Sequence, residues 1–230
     1  VDRPKQLDDP ANFARGRRSE CSLSPIQMWA KSYHKAEITS LEKRFRTALL
    51  NTSSGIRTAF LAITQGEHGW NTAVLSNITH VGAHPAQMSI LFRPDNGQRH
   101  TLDHYSRTGR VTLAALPYEA ALLVHGTSAS YPENTCEWTA LGGELSHPEG
   151  WTHPVPKEAL WAVELQWLEH FELSNGCLYT VGEVQRLGYT EAALPSAKGE
   201  VVASNALLAQ GLMSYLKAVE PLSLEYAKVP

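Results

Sequence analysis

The residues between Asn71 and Thr101 combine the side chains that an anion site needs. A strand-like run holds Asn71, Thr72 and Ala73 and ends in the small polar pair Ser76 and Asn77. A second run ends in Arg93-Pro94, and a polar loop then leads into Arg99-His100-Thr101. Hydroxyls, amides, guanidinium groups and the exposed N–H groups of a helix start can converge on one phosphate, and the arginine fork can hold it through two parallel bonds. Thr101 is a natural helix N-cap, and capping uses the same exposed N–H groups that bind an anion, so the two roles are compatible. A second polar group, His125, Thr127 and Ser128, follows a short apolar stretch.

These residues need a scaffold that holds them, and the pattern around them is that of a sheet. Ile56 to Thr64, Asn71 to Val81, Gln87 to Arg93 and Arg110 to Leu116 have strand length and are bounded by Gly, Pro or polar turns. Trp161, Val163, Leu165 and Trp167 alternate with Ala162, Glu164, Gln166 and Leu168, and the dipeptide Asn175-Gly176 before Cys177 to Leu187 predicts a hairpin. Three helices are expected. One follows a capping box at Thr39-Ser40-Leu41-Glu42, with Leu41, Phe45 and Leu49 at helical spacing, and ends before Gly55. Another runs from near Thr101 to Gly109, and a third covers Tyr118 to His125. Residues 189–210 give no clear pattern. Many short strands with few short helices imply a mainly β chain closed into a barrel, which removes the exposed edges of an open sheet.

The chain of 230 residues has the size of one domain with elaborated termini, its polar residues 1–38 forming an arm ahead of a domain over 39–230. With 19% charged and 43% hydrophobic residues it has the composition of an ordinary globular protein. A formal net charge of -3 gives no support for a nucleic-acid partner, the basic patch Arg15-Gly16-Arg17-Arg18 reading as a solvated part of the arm. No apolar run reaches the roughly 18 residues of a membrane helix, and the opening residues lack a signal-peptide core, so the expected setting is cytoplasmic with no membrane partner. Cys21, Cys136 and Cys177 are odd in number and far apart, which argues against a disulfide framework or a zinc knuckle.

The ordered set Gly69, Asn71, Ala73, Ser76, His80, Gly82, Pro85, Arg93-Pro94, Arg99-His100-Thr101, Thr108-Gly109, Thr112 and His125-Gly126-Thr127-Ser128-Ala129 with Tyr131 resembles the flavin reductase-like family with the FMN-binding split-barrel fold. The likeness spans roughly residues 54–145, with an echo at Tyr226-Ala227. Three positions depart from the pattern: Asn77 replaces a serine, Ala86 a proline and Gly126 a glutamine. The resemblance implies a single-domain split β-barrel that binds FMN at the interface of a homodimer. Its ring would rest on the strand Asn71 to Ser76, over small residues such as Ala73. Its phosphate would lie near Ser76, Asn77, Arg93, Arg99, His100 and Thr101, with Thr72, His125, Thr127 and Ser128 completing the cofactor-binding set. NADH or NADPH would be the electron donor, and free flavin, a ferric complex or a small organic molecule the acceptor. The alternative is a flavin-binding electron carrier without nicotinamide activity of its own.

Two other chemistries fit less well. His80 and His84, like His100 and His104, have i, i+4 spacing, yet neither pair carries the carboxylate of an HExxH motif, and the first encloses Gly82 and precedes Pro85. His125 with Ser128 lacks the GxSxG elbow of a hydrolase.

Overall fold

The computed structural model describes residues 30–94, 99–201, 203–219 and 221. Most of the expected arm, the basic patch Arg15-Gly16-Arg17-Arg18, Cys21 and the echo at Tyr226-Ala227 lie outside the described residues. Contacts divide the chain after Glu42. Before that point a short helix, α1 (Lys35–Ser40), starts with the Glu37 carboxylate accepting the His34 N–H at 2.9 Å. Thr39 belongs to its last turn, where its hydroxyl donates to the Lys35 carbonyl at 2.9 Å. The capping box read at Thr39 therefore does not open the longer helix, α2 (Lys43–Ser53), which begins at Lys43 and ends before Gly55 as its spacing requires.

From Lys43 onward the body is built on a seven-stranded antiparallel sheet in the order β3-β2-β6-β9-β10-β5-β4. Its strands are β2 (Phe60–Gln65), β3 (Trp70–Leu75), β4 (Ile78–Ala83), β5 (Ala86–Phe92), β6 (Arg110–Ala115), β9 (Trp161–Glu172) and β10 (Leu178–Tyr189). The run Asn71 to Val81, read as one strand, is two. It breaks at Ser76-Asn77, and its halves become the opposite edges of the sheet. Three Cα steps span at most roughly 11 Å, so the sheet has to roll until its two edges come together, with a split between them where β3 and β4 do not pair.

Over β2, β6 and the first half of β9 both faces of this sheet are buried. Phe60, Ala62, Val111, Leu113, Ala115, Val163 and Leu165 cluster with Ile90 and Phe92 of β5, which places them on the concave side. Leu61, Ile63, Ala114 and Leu116 turn outward and pack under α4 (Ala121–Gly126), the fully buried Trp138 of α5 (Glu137–Ala140), and Leu207. Tyr105 of α3 (His100–Thr108) fills the barrel interior, and Gly182 on β10 makes room for it, since a Cβ there would lie 2.6 Å from the Tyr105 hydroxyl. α3 stops at Gly109, which takes the left-handed conformation at φ 72° that favours glycine.

The β9-β10 hairpin forms at Asn175-Gly176 through a three-residue loop. The Gly176 N–H bonds the Leu173 carbonyl at 2.8 Å, and Gly176 itself has φ 79°. Residues 189–210 contain a strand that the sequence did not mark. β11 (Leu207–Gln210) lies between β1 (Ile56–Thr58) and β12 (Ser214–Lys217) in a separate three-stranded sheet. β7 (Leu145–Ser146) and β8 (Val155–Pro156) form a two-stranded ribbon.

Candidate functional site

The break between β3 and β4 opens onto a cavity of about 610 Å³, within the size range of small-molecule and cofactor sites. One wall is the edge strand β3 with Asn71, Ala73, Val74 and Leu75, continued by Ser76 and Asn77. A second is the end of β5, Leu91 and Phe92 with Arg93 and Pro94, and a third the start of α3, Arg99 to Leu102. Thr127 to Tyr131 after α4, Glu137 at the start of α5, and Ala209, Gly211, Leu212 and Tyr215 around the β11-β12 turn complete the lining.

Local bonds hold these parts in register. The Leu91 N–H donates to the Asn77 carbonyl at 2.9 Å, fixing the β3-β4 link against β5. Asn71 is buried, and its amide donates to the Thr101 hydroxyl at 2.9 Å and to the Thr64 hydroxyl at 3.3 Å, which docks the start of α3 on β3. The residue at the N-cap of α3 is Arg99, not Thr101, and its own side chain makes no capping bond. As at any helix start, the N–H groups of His100, Thr101 and Leu102 have no intrahelical acceptor, and the helix dipole adds partial positive charge beside Arg99 and His100. The Thr101 hydroxyl, while accepting from Asn71, retains its own proton to donate. Arg93 is exposed at the rim.

Of the residues read from the sequence, Asn71, Ala73, Ser76, Asn77, Arg93, Arg99, His100, Thr101, Thr127 and Ser128 all reach the cavity wall. Thr127 is buried and its hydroxyl donates to the Val124 carbonyl at 2.8 Å, which closes the end of α4. Thr72 and His125 are not on the wall. Strand alternation turns Thr72 away from Asn71. Its N–H donates to a Glu137 carboxylate oxygen at 2.6 Å, and its hydroxyl lies 3.1 Å from the same oxygen while accepting the Trp138 N–H at 2.8 Å. His125 stands behind Tyr215, its Nδ1 lying 3.3 Å from the Tyr215 hydroxyl. Burial raises the Tyr215 hydroxyl pKa above its ordinary value. At the departure, Gly126, a Cβ would lie 2.7 Å from Leu141 Cδ1, the end of a side chain that would have to turn aside.

Glu137, Leu212 and Tyr215 are wall residues that the sequence does not single out. Glu137 follows Cys136 in what reads as a polar loop, and only the contact with Thr72 reveals its place. Tyr215 lies on β12, whose partner β11 falls in the stretch 189–210 that gives no clear pattern in the sequence.

No known family profile and no curated protein matches the chain. Solved structures do. A Shewanella frigidimarina NCIMB 400 protein described as a flavin reductase with split barrel domain superposes with a TM-score of 0.79 at 27% identity, over 86% of this chain and 100% of that one. Nitrilotriacetate monooxygenase component B from Bacillus cereus gives 0.72 at 19%, over 85% and 99%. A Pseudomonas fluorescens 2-nitrobenzoate 2-nitroreductase gives 0.72 at 17%, over 87% and 98%. The fold is the flavin reductase-like split barrel.

Proposed function

We propose that this split-barrel chain is an oxidoreductase that binds FMN in the cavity beside β3 and reduces it with NADH or NADPH, passing the electrons to free flavin or a small acceptor. The observation that carries the reading is the convergence of the α3 N-terminus, Arg99, His100 and Thr101 with Ser76, Asn77 and Arg93 on one cavity. This donor set fits a phosphate: it offers backbone N–H groups, hydroxyls, an amide and guanidinium forks. Ala73, Val74 and Leu75 offer a low wall of modest side chains against which a flat ring can lie. FMN when bound supplies the hydride-accepting centre, and the protein's part is to anchor, orient and tune it. The structural likeness to the Shewanella protein supports the same reading. Residues 39–230 would form the FMN domain and residues 1–38 an arm.

A homodimer is part of the proposal. Val81 on β4, Leu168 and Phe171 on β9, and Leu187 on β10 expose large apolar side chains, which a second copy would cover. The second reading, an electron carrier without nicotinamide activity, shares the FMN site and differs only in lacking hydride transfer.

Titration with FMN and riboflavin tests the anchor. FMN is expected to bind at about one per subunit and more tightly than riboflavin. Half-buried Arg99, replaced by alanine, is expected to lose roughly 1.5–3 kcal/mol, about a 10- to 150-fold weaker FMN complex. Exposed Arg93 is expected to lose about 1 kcal/mol or less. Equal affinity for the two flavins removes the phosphate assignment. Anaerobic mixing of the FMN complex with NADH or NADPH separates the enzyme from the carrier.

A further inference from the structure

Glu137 is a carboxylate in the cavity wall with only 4% of its surface exposed. Among the described residues its donors are the N–H and hydroxyl of Thr72, both on one oxygen. Among the described residues no lysine, arginine or histidine stands within ion-pair distance of it. A buried carboxylate without a cation is costly, and capping the edge-strand N–H of Thr72 needs an acceptor, not a charge. Asn71 turns to Thr101 and the cationic start of α3, whereas Thr72 turns to Glu137. The lining of one cavity thus holds arginines at one end and the Glu137 carboxylate at another.

We propose that Glu137 is the cavity's electrostatic partner for a cationic, electron-poor ring, the pyridinium that a dihydronicotinamide becomes as it gives up hydride. The inference rests on the flavin reading and deepens it. In the step, the C4–H bond of the dihydronicotinamide breaks and its hydrogen leaves with both electrons. They form an N–H bond on the flavin, which is left as its reduced anion, and the donor leaves as a pyridinium cation. A fixed carboxylate beside the donor ring interacts more strongly with the charge that develops there than with the neutral starting ring, so it favours the transition state over the ground state. The same carboxylate disfavours anionic aromatic ligands at that position, which makes it a specificity determinant as well.

The test is Glu137→Gln, which retains an oxygen for Thr72 and removes the charge. The probes are 1-benzylnicotinamide as cation, benzamide as neutral control and benzoate as anion, each titrated into the FMN-loaded protein. The cation is expected to bind about tenfold more weakly to the variant and benzoate more strongly, with benzamide and FMN within about threefold of wild type. Single-turnover reduction by saturating NADH is expected to slow by about tenfold. An unchanged preference between cation and anion in the variant overturns the inference, since a purely structural Glu137 would leave that ratio alone. If wild type takes up no FMN, the flavin reading fails by itself. The three probes are then titrated into the protein as purified, where equal binding of cation and anion overturns the inference separately. If the variant does not fold, wild type still decides. Cation affinity is expected to fall with added salt while benzamide affinity holds, and parallel behaviour of the two overturns the inference.

Discussion

Glu164 and Glu137 are both buried carboxylates on the barrel, at 2% and 4% exposure, and they are treated in opposite ways. Glu164 on β9 has its charge matched inside the protein. Arg110 donates to one oxygen at 3.1 Å, and the Thr152 hydroxyl and N–H donate at 3.2 and 2.7 Å. His153, next in the chain, is fully buried and set against the Thr112 hydroxyl at 3.3 Å. No cavity wall includes Glu164 among the pockets described. Glu137 has the neutral donors of Thr72 and a cavity in front of it. A charge that serves the fold is neutralised within the fold. One that is left facing a cavity points to what the cavity receives.

The comparison breaks first on stability. Arg110→Ala leaves Glu164 buried without its cation, and removal of one partner of such a pair costs about 3–5 kcal/mol. Because Arg110 is partly exposed and Thr152 remains, the expected loss is near the low end, about 3 kcal/mol. Glu137→Gln keeps the acceptor for Thr72 and is expected to change stability by less than about 1 kcal/mol. Urea unfolding of the two variants beside wild type measures both. Equal losses would show that the two carboxylates are structural alike.

The same pair of glutamates shows how far the sequence was legible. Glu164 sits in the alternating run Trp161 to Leu168 at a position that a one-sided strand would expose. It is buried because β9 has apolar packing on both faces, with Val163 and Leu165 inside and Ala162 outside. The Asn175-Gly176 hairpin, the cluster from Asn71 to Thr101 and most strand positions were readable, because local spacing and turn chemistry determine them, but Ile56 to Thr64 and Asn71 to Val81 each read as one strand and are two. Glu137 was not, since its partner Thr72 is 65 residues away. Neither were β11 and β12, for Leu207 and Leu208 alternate with nothing polar, and the pairing with β1 joins Ile56 to Gln210 across most of the chain. Thr72 reads as a site residue from its neighbours, yet strand alternation turns its side chain to Glu137, and Thr72 itself does not line the cavity.

His153 sharpens the contrast through pH. Burial holds its imidazole pKa down at about 4, an effect that the nearby Glu164 carboxylate partly opposes and Arg110 reinforces. In the unfolded chain the ring has its ordinary value of about 6.5. As pH falls below that value the unfolded state takes up a proton that the native state refuses until about 4, so stability is full above the unfolded value and declines through this window. Between about pH 7.5 and about pH 5 the loss is expected to be about 2 kcal/mol. His153→Gln should flatten that part of the stability profile, measured by urea unfolding at several pH values. A wild-type profile that stays level from neutral pH down to about 5 would mean that the Glu164 cluster opens to solvent as freely as the cavity wall does.

The smallest expected effect separates burial from distance as the cause of the contrast. Arg107 and Glu67 approach to 2.7 Å, closer than Arg110 and Glu164 at 3.1 Å. If proximity set the energy, the first pair would matter more. Arg107 and Glu67 are 46% and 67% exposed, however, whereas Glu164 is 2% exposed. Water and salt screen the exposed pair, and two long side chains lose rotamer freedom to keep it. Glu67→Gln is therefore expected to cost only about 0.2–0.5 kcal/mol and to cost nothing measurable in about 1 M salt. The Arg110→Ala loss should survive the same salt, because ions do not reach Glu164. A salt-independent loss at Glu67 comparable to that at Arg110 would make contact distance, not desolvation, the governing quantity, and the distinction drawn between Glu164 and Glu137 would lose its physical basis.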